Sequence, residues 1–149
     1  MSGQTVTIRK TLPASCEEVF DAWLDAGGMQ QWMCPGLVTG CEVALEPRVG
    51  GQFRIVMTVP GETFVNTGVF RVLERPSRLQ FSWVSSRWAH QETLVTVELH
   101  PRGAQCELVL THERFPVEHS AVQLVKGWTQ MLEKLAARLG SADSESTPV

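Results

Sequence analysis

The sequence lacks tyrosine altogether, although its 149 residues include five tryptophans and six phenylalanines. A phenol is therefore not available as a proton donor or as a stabiliser of an oxyanion. No segment approaches the roughly 20 consecutive apolar residues that a membrane-spanning helix requires. The first ten residues, MSGQTVTIRK, lack the apolar core of a signal peptide. These absences predict a cytoplasmic protein with no membrane partner.

Basic runs and paired cysteines are also missing. The formal net charge is −3, and without a basic patch the chain has no electrostatic footprint for nucleic acid. Its four cysteines are scattered with no CxxC pair, so the sequence predicts neither a metal site nor a cofactor. Free thiols suit a reducing compartment, and a bridge between Cys34 and Cys41 is the alternative.

The N-terminal segment predicts a strand followed by two short helices. Residues 4–12 alternate between apolar and polar side chains and end at Pro13. Ser15 and Glu18 have the spacing of a capping box, which predicts a helix over about 15–25 that stops at the glycines 27–28. A shorter helical turn is expected over 29–32.

Between residues 38 and 113 the hydrophobic period changes to two. Turn sequences divide this region into six predicted strands, at 38–46, 51–59, 63–74, 78–84, 91–100 and 105–113. The short connections between them favour antiparallel neighbours. Each strand has an apolar face, although strand 63–74 presents Asn66, Gly68 and Phe70 inward only if Arg71 faces solvent.

The pattern after residue 116 is helical again. Apolar residues recur on one face from Ala121 to Leu139, and charged and polar residues occupy the other. Gly140 is the predicted end of this helix, and residues 141–149 have the composition of a disordered tail. We therefore predict a single domain over residues 1–140.

Seven strands and one long amphipathic helix define an α+β fold in which the helix covers one face of the sheet. A curved sheet bends away from a straight helix, and the space between them can become an apolar ligand pocket. The alternative is a packed core without a cavity, since large aromatic residues on an inner face are usually core.

Several motifs resemble the START-like (SRPBCC) superfamily. They are Trp32, the turn Glu46-Pro47-Arg48-Val49-Gly50-Gly51, the segment Gly68-Val69-Phe70, the segment Thr111-His112-Glu113, and Gly127-Trp128 followed by Leu132 and Leu135. Within the superfamily, the chain is similar to homologues of the activator of the heat-shock-protein-90 ATPase. The similarity covers about residues 4–140, and Glu46 stands where aspartate is more usual.

The resemblance implies a helix-grip fold of the START/Bet v 1-like kind, in which a curved antiparallel seven-stranded sheet wraps around the long C-terminal helix. It also implies a cavity for a small hydrophobic molecule. Because the superfamily includes binding proteins, cyclases and hydratases, the fold does not decide between binding and catalysis. Binding without catalysis is the favoured interpretation.

The predicted cavity lining combines inner-face strand residues with one face of the C-terminal helix. No catalytic residue is assigned. The predicted ligand contacts are Trp32, Phe53, Ile55, Met57, Asn66, Phe70, Phe81, Trp83, Val95, Leu110, His112, Leu124, Trp128, Met131 and Leu132.

Two other functions stay open. The first is a cyclase, hydratase or isomerase that uses His112, whose charge can change near neutral pH; the structural alternative is a hydrogen-bonded core histidine. The second is a protein-interaction module, either a chaperone cofactor or a homodimer, for which an exposed Trp88 in the turn at 85–90 would be a contact. The sequence itself does not support a chaperone partner.

The glycines of the turn at 46–51 are interpreted as structural. Gly50 and Gly51 suit a tight turn that requires positive φ, and no helix follows to make a phosphate site. Arg48 is expected to pair with Glu46 in the same turn.

Overall fold

The computed structural model describes residues 4–33, 38–86, 91–115 and 121–146. Three helices and seven strands follow one another in the predicted order. The helices are α1 (Cys16–Ala22), α2 (Ala26–Trp32) and α3 (Ala121–Ser146). The strands are β1 (Gln4–Leu12), β2 (Gly40–Leu45), β3 (Gln52–Val59), β4 (Glu62–Glu74), β5 (Arg78–Ser85), β6 (Glu92–Arg102) and β7 (Gln105–Phe115).

All seven strands form one antiparallel curved sheet in the order β1-β7-β6-β5-β4-β3-β2. Each strand after β2 pairs with the one before it, and β1 closes the sequence by pairing with β7. The register places Phe53 opposite Gly68 and Phe70 opposite Phe81, so their rings lie on the same face. The helix-grip α+β fold expected from the sequence is confirmed.

α1 begins at the predicted capping box. The Ser15 side chain accepts a hydrogen bond from the Glu18 backbone N–H, and the Glu18 carboxylate accepts one from the Ser15 backbone N–H. Two backbone donors at the helix start are thereby satisfied. A bidentate ion pair between Arg75 and Asp21 then joins α1 to the turn that connects β4 with β5.

The prediction that the glycines at 27–28 stop a helix was wrong. α1 ends at Ala22, and α2 begins at Ala26 and contains both glycines. A Cβ at Gly28 would lie 2.7 Å from the Asp25 carboxylate and 3.4 Å from Arg138 Nε of α3. The glycine therefore leaves room for the Asp25 side chain at the start of α2, which a pattern based on local propensity does not reveal.

α3 packs along β1 and against α2. The helix continues to Ser146, so the predicted end at Gly140 was six residues too early. Glycine within a helix costs only about 1 kcal/mol relative to alanine, and that is too little to stop it. The disorder predicted for the tail stays a prediction.

The turn between β2 and β3 has the predicted form. Gly50 adopts φ +84°, and its N–H donates to the Phe70 carbonyl 2.8 Å away. Arg48 and Glu46 form an ion pair at 3.3 Å, and Glu46 also accepts a hydrogen bond from the Gln52 backbone N–H at 2.9 Å. That backbone bond and the Arg48 charge lower the pKa of Glu46. The turn is structural.

Candidate ligand-binding site

His112 lies at the centre of a chain of buried hydrogen bonds. Its Nδ1 accepts from Trp128 Nε1 of α3 at 3.0 Å, and its Nε2 lies 2.7 Å from the hydroxyl of Thr93 on β6. Thr93 in turn donates to the Trp83 carbonyl oxygen at 2.6 Å. These contacts join α3 to three neighbouring strands of the sheet.

The donors and acceptors in this chain fix the protonation of the imidazole. An indole N–H can only donate, so His112 Nδ1 carries no proton and the ring proton is on Nε2. The Thr93 hydroxyl accepts a hydrogen bond from this Nε2–H and donates its own O–H to the Trp83 carbonyl oxygen. Burial lowers the pKa of His112 to about 3. The ring is neutral at physiological pH, and the geometry favours a hydrogen-bonded core histidine over an acid or base.

A network of aromatic rings extends from His112 across the inner face. Trp83 lies 5.4 Å from Trp128 and 5.9 Å from Phe53, measured between ring centroids. Trp23 lies 6.1 Å from Trp128 and 4.9 Å from Trp32. These separations are typical of tilted and edge-to-face contacts between aromatic rings. The aromatic residues thus link α1, α2 and α3 to the centre of the sheet.

A small apolar cavity lies beside this network, between the two short helices and strands β3 to β5. Its volume is about 10 Å³, which is room for one water molecule. All of its lining residues in the described part of the chain are apolar: Trp23, Met29, Met33, Phe53, Ile55, Phe70, Phe81 and Trp83. At this end of the inner face the described side chains leave a void of only this size.

Two indole donors near the cavity have no hydrogen-bond partner in the part of the chain that the structure describes. Trp23 is 2% exposed and Trp32 is 1% exposed, and no acceptor reaches the Nε1 atom of either residue. Trp23 forms part of the cavity wall, and its ring contacts that of Trp32 at an interplanar angle of 77°. Buried donors without acceptors are uncommon and require an explanation.

Asn66 brings an amide to the inner face, as the sequence expected if Arg71 faced solvent. Arg71 is exposed and pairs with Glu92 at 3.0 Å, and Asn66 is 5% exposed. The Asn66 amide donates to the Ile55 carbonyl oxygen over 3.4 Å, a long hydrogen bond. Asn66 itself is not part of the cavity wall.

Residues 13–140 match the family described as Activator of Hsp90 ATPase homolog 1-like protein. The match spans most of the 149 residues. The chain belongs to this family. The resemblance indicated by the motifs is thereby confirmed, since the family is part of the SRPBCC superfamily. Proteins with this Activator of Hsp90 ATPase homolog 1-like fold commonly bind hydrophobic ligands.

Solved structures of proteins from several bacteria have folds similar to that of this chain. Protein CV1439 from Chromobacterium violaceum has a TM-score of 0.81 at 23% identity, covering 91% of this chain and 97% of that chain. The Mll3558 protein from Rhizobium loti has a TM-score of 0.74 at 27% identity, covering 91% and 96%. CalU16 from Micromonospora echinospora has a TM-score of 0.69 at 24% identity, covering 95% and 79%. No curated protein matches the chain.

Of the predicted ligand contacts, the sheet residues Phe53, Ile55, Phe70, Phe81 and Trp83 line the cavity. The other predicted contacts lie in or around the core, outside the cavity wall. Trp32 packs on Trp23, and His112 and Trp128 belong to the hydrogen-bonded chain. The remaining residues outside the cavity wall are Met57, Asn66, Val95, Leu110, Leu124, Met131 and Leu132.

Sequence reasoning missed the helical part of the cavity wall. Trp23 follows α1, Met29 lies in α2, and Met33 follows α2 directly. The apolar spacing of these residues was visible, but it does not say which strands the short helices cover. The predicted lining took its helical residues from α3 and from Trp32, and their contact with a ligand stays a prediction.

Other predictions concern a metal site, a membrane-spanning helix, the turn at 85–90 and the cysteines. Among the described residues, no group of three or more histidine, cysteine, aspartate or glutamate side chains could hold a metal ion. None of the described helices is both long and apolar enough to cross a membrane. Trp88 and Cys34 lie outside the described residues. Cys16 and Cys106 are buried and form no disulfide.

Proposed function

We propose that the protein binds a small hydrophobic molecule at the cavity between the short helices and strands β3 to β5. The observation that carries this proposal is the wall itself, in which four aromatic rings from the sheet, an isoleucine, two methionines and Trp23 surround a void. Walls of aromatic and aliphatic side chains are typical of sites for apolar ligands. The common binding property of this fold supports the same conclusion.

Binding at this site requires the cavity to expand. A volume of about 10 Å³ holds one water, whereas ligand pockets commonly reach several hundred Å³. Met29 and Met33 are the adaptable part of the wall, because an unbranched thioether side chain changes rotamer at low cost. We infer that the structure is the closed form and that an entering ligand displaces these two side chains.

The observations favour binding over catalysis and over a protein contact. His112 is buried, neutral and engaged at both ring nitrogens. Among the described residues, the large apolar side chains that are exposed are Val49 and Val122, and isolated exposed residues of this kind are normal on a monomer. A chaperone or a second copy of the chain therefore gains no support from them. We further infer a cytoplasmic location, which suits the two buried cysteines that form no disulfide.

Native mass spectrometry of the protein purified from its own cells tests the proposal. We expect a small molecule bound to the wild type and lost in Ile55→Phe, because the larger side chain fills the void. The matched control is Val49→Phe, which adds a ring at a side chain that is 60% exposed and should retain the molecule. Circular dichroism verifies that both variants are folded.

Either of two results contradicts the proposal. One is a wild-type protein that carries no small molecule and is not stabilised against heat by any added apolar compound, since a ligand that binds the folded state must stabilise it. The other is a folded Ile55→Phe variant that retains as much of the molecule as the wild type.

A further inference from the structure

The two unpartnered indole donors indicate the chemistry of the ligand, given the binding function proposed above. We propose that the site takes a neutral, largely apolar molecule that carries a hydrogen-bond acceptor, such as a ketone or ester carbonyl, and that the Trp23 N–H donates to this acceptor with the Trp32 N–H beside it. Both donors are buried and have no acceptor among the described residues.

A third indole of the same aromatic network has the acceptor that Trp23 and Trp32 lack among the described residues. Trp128 lies 6.1 Å from Trp23, and its N–H reaches His112 Nδ1 at 3.0 Å. The fold therefore supplies an acceptor to one buried indole and withholds it from two others that are in contact with each other. Burying a donor without an acceptor opposes folding, so a partner that arrives with the ligand explains why these positions hold tryptophan rather than phenylalanine.

Contact between the two rings does not account for both donors. In an edge-to-face pair such as Trp23 and Trp32, one ring presents its edge and the other its face. At most one N–H can then be directed at the partner's π system, and such a contact is weak. At least one indole donor still needs an acceptor.

A single trapped water is a poor substitute. The cavity is large enough for one water molecule, but a buried water usually makes two to four hydrogen bonds. Apart from the indole N–H groups of Trp23 and Trp83, the lining side chains carry no N–H or O–H donor, so a water there would leave most of its own hydrogen bonds unmade. A ligand with an apolar body and one acceptor matches this wall better.

The acceptor should be neutral rather than a carboxylate. No lining residue carries a charge, and an anion transferred into an apolar site without a cation loses far more hydration energy than one or two hydrogen bonds restore. A carbonyl oxygen has two lone pairs and demands less desolvation. Its two lone pairs suit two neighbouring donors.

Cyclohexanone and cyclohexane are matched probes for this proposal, because they have the same ring size and differ in the carbonyl group. Their dissociation constants are measured by NMR titration with wild type, Trp23→Phe and Trp32→Phe. In Trp23→Phe the preference for cyclohexanone over cyclohexane should fall roughly 2- to 12-fold, the range for one net hydrogen bond. The ratio of the two constants cancels any effect of the smaller side chain on cavity size.

The indole N–H cross-peaks give a second, direct measurement. Cyclohexanone should shift the Trp23 N–H signal downfield, and cyclohexane should not, whereas the Trp128 signal should respond equally to both. Assignment follows from the peak that disappears in each phenylalanine variant. Trp32→Phe should lower the preference less than Trp23→Phe, since Trp23 forms part of the wall.

The outcomes separate the two proposals. If both probes bind and Trp23→Phe weakens them equally, the acceptor proposal is overturned while binding of apolar molecules stands. A crystal grown with cyclohexanone that shows only a water on Trp23 Nε1 also overturns it. If neither probe binds the wild type, the acceptor proposal and the binding function are both contradicted.

Discussion

Trp128 and Trp23 are buried in one aromatic network, yet their surroundings differ in hydrogen bonding and in packing. On the Trp128 side of the core, the Trp128 indole nitrogen and both His112 imidazole nitrogens are in hydrogen bonds. The Trp23 side, where α1 and α2 meet β3 to β5, has an apolar void and two donors without acceptors.

The difference shows which part of the core still has unfilled volume and unmade hydrogen bonds. A fully satisfied network rigidifies the core that contains it, since each change breaks several interactions together. A region with a void and unmade hydrogen bonds is less stable than it could be, which is typical of binding sites. The same residue type therefore stabilises one side and leaves the other able to accept a ligand.

The largest expected effect comes from Gly68→Ala, which disturbs the packing of Phe53 in the cavity wall. A Cβ at Gly68 would collide with the Ser82 carbonyl oxygen and with the Phe53 ring that lies over it. A backbone oxygen cannot move aside, so we expect a loss of at least about 3 kcal/mol in the free energy of unfolding. Urea denaturation measures this value, and a loss below about 1 kcal/mol would contradict the close packing of β4 on β5.

Replacing each tryptophan by phenylalanine compares the two sides directly. Trp128→Phe leaves His112 Nδ1 buried without a donor, whereas Trp23→Phe removes a donor that has no partner. Both substitutions delete the same ring volume, so Trp128→Phe should cost about 1–3 kcal/mol more in the free energy of unfolding. Equal losses in denaturant titrations would show that the hydrogen bond to His112 contributes nothing.

Protonation should weaken the Trp128 side selectively. The pKa of His112 is lowered to about 3 in the folded protein, so below pH 6.5 the unfolded chain binds a proton that the folded chain excludes. Stability is therefore lost as the pH falls from 6.5 towards 3, by about 2 kcal/mol between pH 6.5 and pH 5. Unfolding measured across this range tests the effect, and His112→Gln, which does not titrate, is the control. Parallel pH profiles for the two proteins would refute the assignment.

The smallest effect has the opposite sign. Gly127 lies within α3, and a Cβ there would meet no atom within 4 Å. Gly127→Ala should therefore stabilise the protein by about 0.5–1 kcal/mol, since alanine favours the helix and restricts the unfolded chain. Thermal unfolding measures the gain, and a destabilised variant would mean that α3 needs the glycine for a contact outside the described residues.

Strands were predictable from sequence because their information is local. Alternation fixes which side chains face inward, and turn residues mark the ends, so every predicted strand is present. The errors lie where a hairpin extends the pairing, as in β6 and β7, which run on to Arg102 and Phe115. Gly28 illustrates the opposite case, since local propensity predicts a helix stop where the glycine instead lies inside α2 beside the Asp25 side chain.

Only the strand residues of the cavity wall could be predicted, because only they follow from a local sequence pattern. Phe53, Phe70 and Phe81 follow from strand parity alone, whereas Trp23 and Met29 enter the wall because α1 and α2 cross a distant part of the sheet. Sequence spacing does not contain that long-range arrangement. Nor does it say which indole finds an acceptor, since His112 reaches Trp128 only after α3 has packed.

The network of tryptophans also makes the protein its own optical reporter. Because the chain has no tyrosine, its near-ultraviolet emission comes from tryptophan alone. Trp23, Trp32, Trp83 and Trp128 are each at most 5% exposed, and Trp128 lies 5.4 Å from Trp83 and 6.1 Å from Trp23. Excitation absorbed by one indole can pass to its neighbours at such separations. A molecule that enters beside Trp23 would therefore change the colour and polarisation of the emitted light without any added label.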